Sequence, residues 1–232
     1  MKNIITIILA LIVVSCANEK QYDLTVKGQV KGLKKGTLYL QKVQDSTLIN
    51  VDSMVVNGNP NFEFHSNLET PEVFYLHLNK TNTDDKKIAF FADKGITEIN
   101  TTLKDFVFDA KIEGSKQQEK LDEYKKVISR FNDRSLELVK EEFEAKTKGD
   151  SMAIANNEDA YEKLLKGKYL YTVNFAINNK DSEVAPYVAL TEIYDAKIKW
   201  LDTISNALTP EVKSSKYGIL LDEFIRDRKK SK

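Results

Sequence analysis

Between Tyr22 and Glu113 apolar and polar residues alternate with a period of two, broken at short intervals by glycine, proline or asparagine. Tyr22, Leu24, Val26 and Val30 alternate with Asp23, Thr25, Lys27 and Gln29, the pattern of a strand with one dry face and one wet face. Phe106, Phe108, Ala110 and Ile112 alternate in the same way with Val107, Asp109, Lys111 and Glu113, and predict a half-buried strand. Between them lie GTLYLQKV, TLINVDSMVV, NFEFHSN, EVFYLHLN, KKIAFFAD and GITEINT, separated by Gly32, Gly36, Asn57-Gly58, Pro60, Pro71 and Gly95. Strands at this spacing with turn residues between them predict an antiparallel β-sandwich or barrel over residues 22–113. Asn57-Gly58 predicts a hairpin, because both residues tolerate the positive φ of a type I′ turn.

After Gly114 the period lengthens. Ser115-Lys116-Gln117-Gln118 has the form of a capping box, and Leu121, Tyr124, Ile128, Phe131, Leu138 and Phe143 then recur mostly at three or four residues. Gly149 closes that helix and Asp150 or Ser151 opens the next, whose apolar face is Tyr161, Leu164, Leu165, Tyr169, Val173 and Ile177. Shorter helices are predicted around APYVALTEIY and KIKWLDTIS, and a last one from Thr209-Pro210-Glu211, an N-cap residue followed by proline at the first helical position. The predicted class is α+β, with an N-terminal sandwich or barrel at 22–113 and an all-helical region at 115–228. Adjacent residues on a strand point to opposite faces, so Phe74-Tyr75 and Phe90-Phe91 each require a second apolar neighbour, and the helical half is the expected one.

The first residues follow a different pattern. Ile4 to Val14 is apolar apart from Thr6, follows Lys2, and is shorter than the roughly 20 residues that span a bilayer. A short basic segment, an apolar run of about 7 to 15 residues and a small residue predict an export signal over residues 1–15. Val13-Val14-Ser15-Cys16 resembles the bacterial lipobox. That resemblance implies a diacylglyceryl group on the Cys16 thiol, cleavage before Cys16 and an acyl chain such as palmitate on the new amine. One acyl chain binds a bilayer only marginally, and two or three make the attachment lasting. Residues 16–21 then form a tether, whose five residues between Cys16 and Tyr22 reach no more than roughly 20 Å. The expected location is the cell membrane or outer membrane, facing the periplasm or the cell surface.

Charge and cysteine content narrow the function. Without Lys2 the 35 basic side chains fall to 34, against 35 acidic, so no basic excess points to nucleic acid. Cys16 is the single cysteine, and once it is lipidated no thiol remains for a disulfide, for exchange or for nucleophilic catalysis.

Candidate chemistry is sparse. His65 and His77 are the only histidines, and without a third ligand they do not make a zinc site. Asp84-Asp85-Lys86-Lys87 lacks the alternating acids, central glycine and closing glutamate of an EF-hand and reads as a polar loop. No GxSxG, glycine-rich phosphate loop or HExxH is present. Neither catalytic residues, nor a metal, nor a cofactor are expected. Lys229, Lys230 and Lys232 read as a solvated helix end.

LTVKGQVKGLKKGTLYLQKV, VDSMVVNGNPNFEFHSNLETPEVFYL and KIEGSKQQEKLDEY, in that order, are similar to the N-terminal domain of unknown function of Bacteroidetes envelope lipoproteins. There it usually precedes a thioredoxin-like domain of the alkyl hydroperoxide reductase/thiol-specific antioxidant group. NNKDSEVAPYVAL and SSKYGILLDEFI resemble the helical segment that joins the two. The resemblance implies an envelope location and a β-plus-helix architecture. The CxxC-bearing domain is absent from these 232 residues, so no catalytic residue carries over. The leading expectation is a non-catalytic, lipid-anchored binding or interaction module with the membrane and an envelope protein as partners. The alternative is an accessory to a thiol-disulfide oxidoreductase whose thioredoxin-like domain is on another chain.

Overall fold

The computed structural model describes residues 22–79 and 86–230. The strands are β1 (Leu24–Lys31), β2 (Lys35–Gln44), β3 (Thr47–Asn57), β4 (Asn61–Ser66), β5 (Glu72–Asn79), β6 (Lys86–Ala92), β7 (Gly95–Thr102) and β8 (Lys111–Glu113). They form two four-stranded sheets, in the orders β4-β1-β7-β8 and β3-β2-β5-β6. The helices follow as α1 (Lys116–Lys148), α2 (Ser151–Asn178), α3 (Val184–Glu192), α4 (Ile198–Ala207), α5 (Pro210–Lys213) and α6 (Lys216–Lys230). The α+β class holds, and the β half is a sandwich. One pairing departs from the antiparallel rule: β1 and β7 run parallel. A parallel pair needs a long crossover, and here the crossover is the whole second sheet together with β4.

The alternating residues meet between the sheets. Leu24, Val26 and Val30 of β1, Leu38 and Leu40 of β2, Phe62 and Phe64 of β4, Phe74, Leu76 and Leu78 of β5 and Ile99 of β7 share one buried cluster. Burying each large side chain is worth about 1.5–3 kcal/mol. Leu40 and Gln41 flank a register shift against β3, a bulge that bends this long hairpin.

Three turns differ from the sequence expectation. The tight hairpin is Asp45-Ser46, with φ of 47° and 64° between the paired Gln44 and Thr47, a two-residue loop with the positive φ values of type I′. Asn57-Gly58 instead turns the corner from one sheet to the other, held by Gly58 N–H donating to the Lys34 carbonyl at 2.8 Å and Val30 N–H to that of Pro60 at 3.0 Å. The predicted strand 106–113 shrinks to β8, because residues 104–109 coil into a turn in which Asp109 N–H reaches the Asp105 carbonyl at 2.8 Å. Side chains hold that turn: the Thr102 hydroxyl donates to Asp109 and the Thr101 hydroxyl to the Phe106 carbonyl. Phe106 is buried by it and Phe108 is 93% exposed.

The β5–β6 side of the second sheet is covered on both faces, while the outer face of β3 stays open, with Val55 76% exposed. Phe74 and Phe90 point into the sandwich, while Val73, Tyr75 and Phe91 meet Leu121, Tyr124, Ile128, Val184, Val188 and Tyr217 of the helices. Gly114 turns the chain into α1 with φ of +91°, and a Cβ there would lie 2.2 Å from the Ile96 carbonyl oxygen. Ser115 caps α1 by accepting from Gln118 N–H at 3.1 Å. The reciprocal half of the capping box does not form, because the Gln118 side-chain oxygen accepts from Phe91 N–H at 2.7 Å. The Ser115 hydroxyl donates to the Phe91 carbonyl at 2.6 Å. On the other side of β5, Val73 N–H donates to the Tyr217 hydroxyl at 3.0 Å.

The remaining helices close over a third cluster that includes Val173, Ala176, Ala189, Leu201, Ile204, Leu221 and Ile225. Gly149, with φ of 68°, ends α1, and Asp150 caps α2 through Ala153 N–H, as expected. Thr209-Pro210 starts only the single turn α5, and Ser214-Ser215 separates it from α6.

Two outcomes test this docking. Tyr217→Phe leaves Val73 N–H without its acceptor and is expected to cost about 1–3 kcal/mol of stability in denaturant unfolding. Glu183 accepts from Gln117 at 2.7 Å, and burial first, then Asp93 and Glu211, raise its carboxyl above the ordinary 4.5. A carboxyl raised in the folded state favours folding when protonated and loses that advantage as pH rises through the raised value. Glu183→Gln is therefore expected to be more stable than the parent at neutral pH, the difference fading below 4.5.

Candidate binding surfaces

The structure separates the residues the sequence singled out. Cys16 lies outside the described residues, as do Asp84, Asp85 and Lys232. His65 stacks on Tyr22 at 5.0 Å and its Nδ1 lies 3.2 Å from the Thr25 hydroxyl, on the first sheet. His77 stacks on Tyr39 at 5.6 Å, on the second sheet. Both alternate with core residues, so they face away from the sandwich on opposite sides of it. Among the described residues no three His, Cys, Asp or Glu side chains gather as metal ligands. Lys86 and Lys87 begin β6, Lys229 pairs with Asp202 at 2.7 Å, and Lys230 with Asp227 at 3.5 Å. Among the described residues no helix is long and apolar enough to cross a membrane.

A polar cluster joins the sandwich to α6. Glu72 is buried and takes Lys42 at 2.9 Å and Lys216 at its two oxygens, while Lys216 also donates to the Val43 carbonyl at 2.6 Å. Both lysines are committed to one carboxylate, which makes the cluster a clamp between elements.

Two surfaces of the helical half carry apolar side chains that the fold leaves wholly or partly exposed. The first is on α1. Beyond Phe131 its buried positions are Leu138 and Ala145, on the side of α2, where Asn157 donates to the Leu138 carbonyl at 3.0 Å. Leu136, Val139 and Phe143 lie elsewhere, 70%, 55% and 72% exposed. At about 100° per residue these three fall within about 60° of one another, a stripe turned away from α2. Phe143, expected on the inner face with Leu138, belongs to this outer stripe. The reason is geometric: a five-residue step from Leu138 rotates well away from the seam, whereas seven residues to Ala145 return to it.

The second is a groove of about 470 Å³ between α2 and α4. Glu162, Leu165, Lys166 and Tyr169 present one face of α2 at the i, i+3, i+4, i+7 spacing, and Lys197, Lys199 and Trp200 come from the start of α4. Trp200 and Tyr169 are half-buried, with the Lys199 ammonium 5.3 Å from the indole centroid. Burial, then the nearby Asp195 carboxylate, push the Tyr169 hydroxyl up to about 12, so it stays neutral. Leu165 and Tyr169 were predicted as inner-face residues, but Trp200 and the lysines carry no signal of a groove until α4 is laid against α2.

Residues 24–121 match the family described as a domain of unknown function, DUF4369. The matched stretch holds all eight strands and the start of α1, including Ser115, Gln118 and Leu121. Neither a curated protein nor a solved structure matches the chain.

The two sides of α1 should respond differently to polar substitution. Leu138→Ser is expected to cost about 2–5 kcal/mol, as for a truncated core leucine. Phe143→Ser should change stability by less than about 0.5 kcal/mol in the same denaturant titration.

Proposed function

We propose that this protein is a non-catalytic, lipid-anchored component of the cell envelope that acts as a binding or interaction module. The observation that carries the reading is Cys16, the sole cysteine, set after a small residue at the end of an eleven-residue run with one polar member. Acyl chains on Cys16 hold the chain at the membrane, facing the periplasm or the cell surface, and the folded part stands close to the bilayer. The stripe of Leu136, Val139 and Phe143 supplies a surface for an envelope protein partner. Exposed contiguous apolar side chains of this kind mark interaction sites in soluble domains.

An accessory role beside a thioredoxin-like protein is the second reading. It rests on the resemblance of the chain to a domain that usually precedes a thioredoxin-like one, and the match at residues 24–121 supports only the presence of a domain of unknown function.

Cys16→Ser is expected to move the protein from the membrane fraction to the soluble one, and retention in the membrane would count against the anchor. In intact cells, crosslinking should capture an envelope protein with the parent chain and lose it with Leu136→Glu/Phe143→Glu. Capture of a thioredoxin-like protein would select the second reading. Capture unchanged by the double substitution would remove the stripe from it.

A further inference from the structure

We infer that the groove between α2 and α4 is a binding site for a small amphiphilic carboxylate, an apolar chain carrying one anionic head. This goes beyond the anchoring and partner roles proposed above and does not depend on either.

Three observations converge. The groove is open along one side and offers about 470 Å³, within the range of about 300–1,000 Å³ in which proteins hold small ligands. Its floor is apolar and aromatic: Leu165, Tyr169 and the half-buried Trp200. Its rim is cationic. Lys166, Lys197 and Lys199 outnumber the one lining acid, Glu162, and the nearby Asp195.

The rim lysines differ from their neighbours on α2, Lys163 and Lys168, each of which has a carboxylate within 3.0 Å, whereas no described carboxylate pairs with Lys166, Lys197 or Lys199. Lys199 rests over the Trp200 ring instead. Lys197 is also the N-cap position of the ten-residue α4 and makes no side-chain capping bond, so the positive end of that helix adds to the same field.

A neutral apolar molecule would leave this field unanswered and a cation would oppose it. An anion with a chain answers both parts: the chain covers Leu165 and Trp200, and the head sits among the ammonium groups. Lysine acts as a point charge without the planar fork of arginine, which suits a single carboxylate on a mobile chain.

Trp200 is the only tryptophan in the chain, so its emission reports this groove alone. Tryptophan fluorescence of the folded, full-length mature chain is followed while octanoate, decanoate or dodecanoate is added below its micelle concentration. Decanol and decyltrimethylammonium serve as the neutral and cationic controls. The expected result is a saturable spectral shift with the carboxylates, with affinity rising about tenfold for each added pair of methylenes. The cation should give no saturable shift.

Lys166→Gln/Lys197→Gln/Lys199→Gln should weaken decanoate at least about tenfold, leave decanol unchanged and keep the parent circular dichroism and Tm. Leu165→Glu, at the half-buried floor, should abolish both responses. No saturable shift with decanoate would overturn the proposal, as would equal binding of the cation or an unchanged affinity in the triple variant. A shift with anionic phospholipid vesicles but not with decanoate would also overturn it, assigning the lysines to a lipid surface.

Discussion

The architecture depends on hiding the outer face of β5 and β6 while satisfying the peptide groups of Phe91 at the edge of their sheet. Phe90 and Phe91, neighbours on β6, point into different cores, so helices must lie against the sheet's outer face. β6 is an edge strand, and the outward N–H and C=O of Phe91 would be stranded beneath α1. Gln118 accepts from that N–H and Ser115 donates to that C=O, so the first turn of α1 takes the place of a neighbouring strand. An unmet buried peptide group costs about 1–3 kcal/mol, comparable with the burial of one of the aromatic side chains it adjoins.

The same device recurs at the far end of the chain. Tyr217, at the start of α6, satisfies Val73 N–H, and its neighbour Lys216 joins Lys42 on Glu72. Burial pushes the Tyr217 hydroxyl well above the usual tyrosine range, which keeps it a neutral acceptor for that peptide. The strand half and the helical half thus share an apolar core and its polar fastenings. The DUF4369 match, ending at Leu121, includes the fastening residues Ser115 and Gln118 but not Tyr217.

How much of this was legible follows from what each feature needs. Alternation in β1 and β4 to β7, and the caps at Ser115, Gly149 and Asp150, are local properties, and the structure reproduces them. The Phe74-Tyr75 and Phe90-Phe91 pairs were readable as demanding two cores because strand geometry alone forces opposite faces. Residues 106–109 alternate like a strand but are not one, because Thr101, Thr102 and Asp105 close a turn there through side-chain and backbone bonds. Asn57-Gly58 carried the right conformation, but nothing local says whether a turn joins strands of one sheet or of two. The groove was not legible at all: Tyr169 and Trp200 are distant in sequence and meet only once α3 and the chain after it have folded back.

The outer stripe of α1 is where folding requirements and sequence part company. At about 1.5 Å per residue the 33 residues of α1 reach roughly 50 Å, and its last half has α2 as its main neighbour. One neighbouring helix offers one seam, which Leu138 and Ala145 fill. Helicity there is helped by surface ion pairs, Arg134 with Glu137 and Glu141 and Lys146 with Glu142, and by the Asp150 cap of α2. None of these needs an apolar residue at 136, 139 or 143. Large apolar side chains at all three positions, 55–72% exposed, add little to the packing of the arm and place a hydrophobic stripe in water. The stripe therefore bears more on the interaction role proposed above than the buried sandwich does.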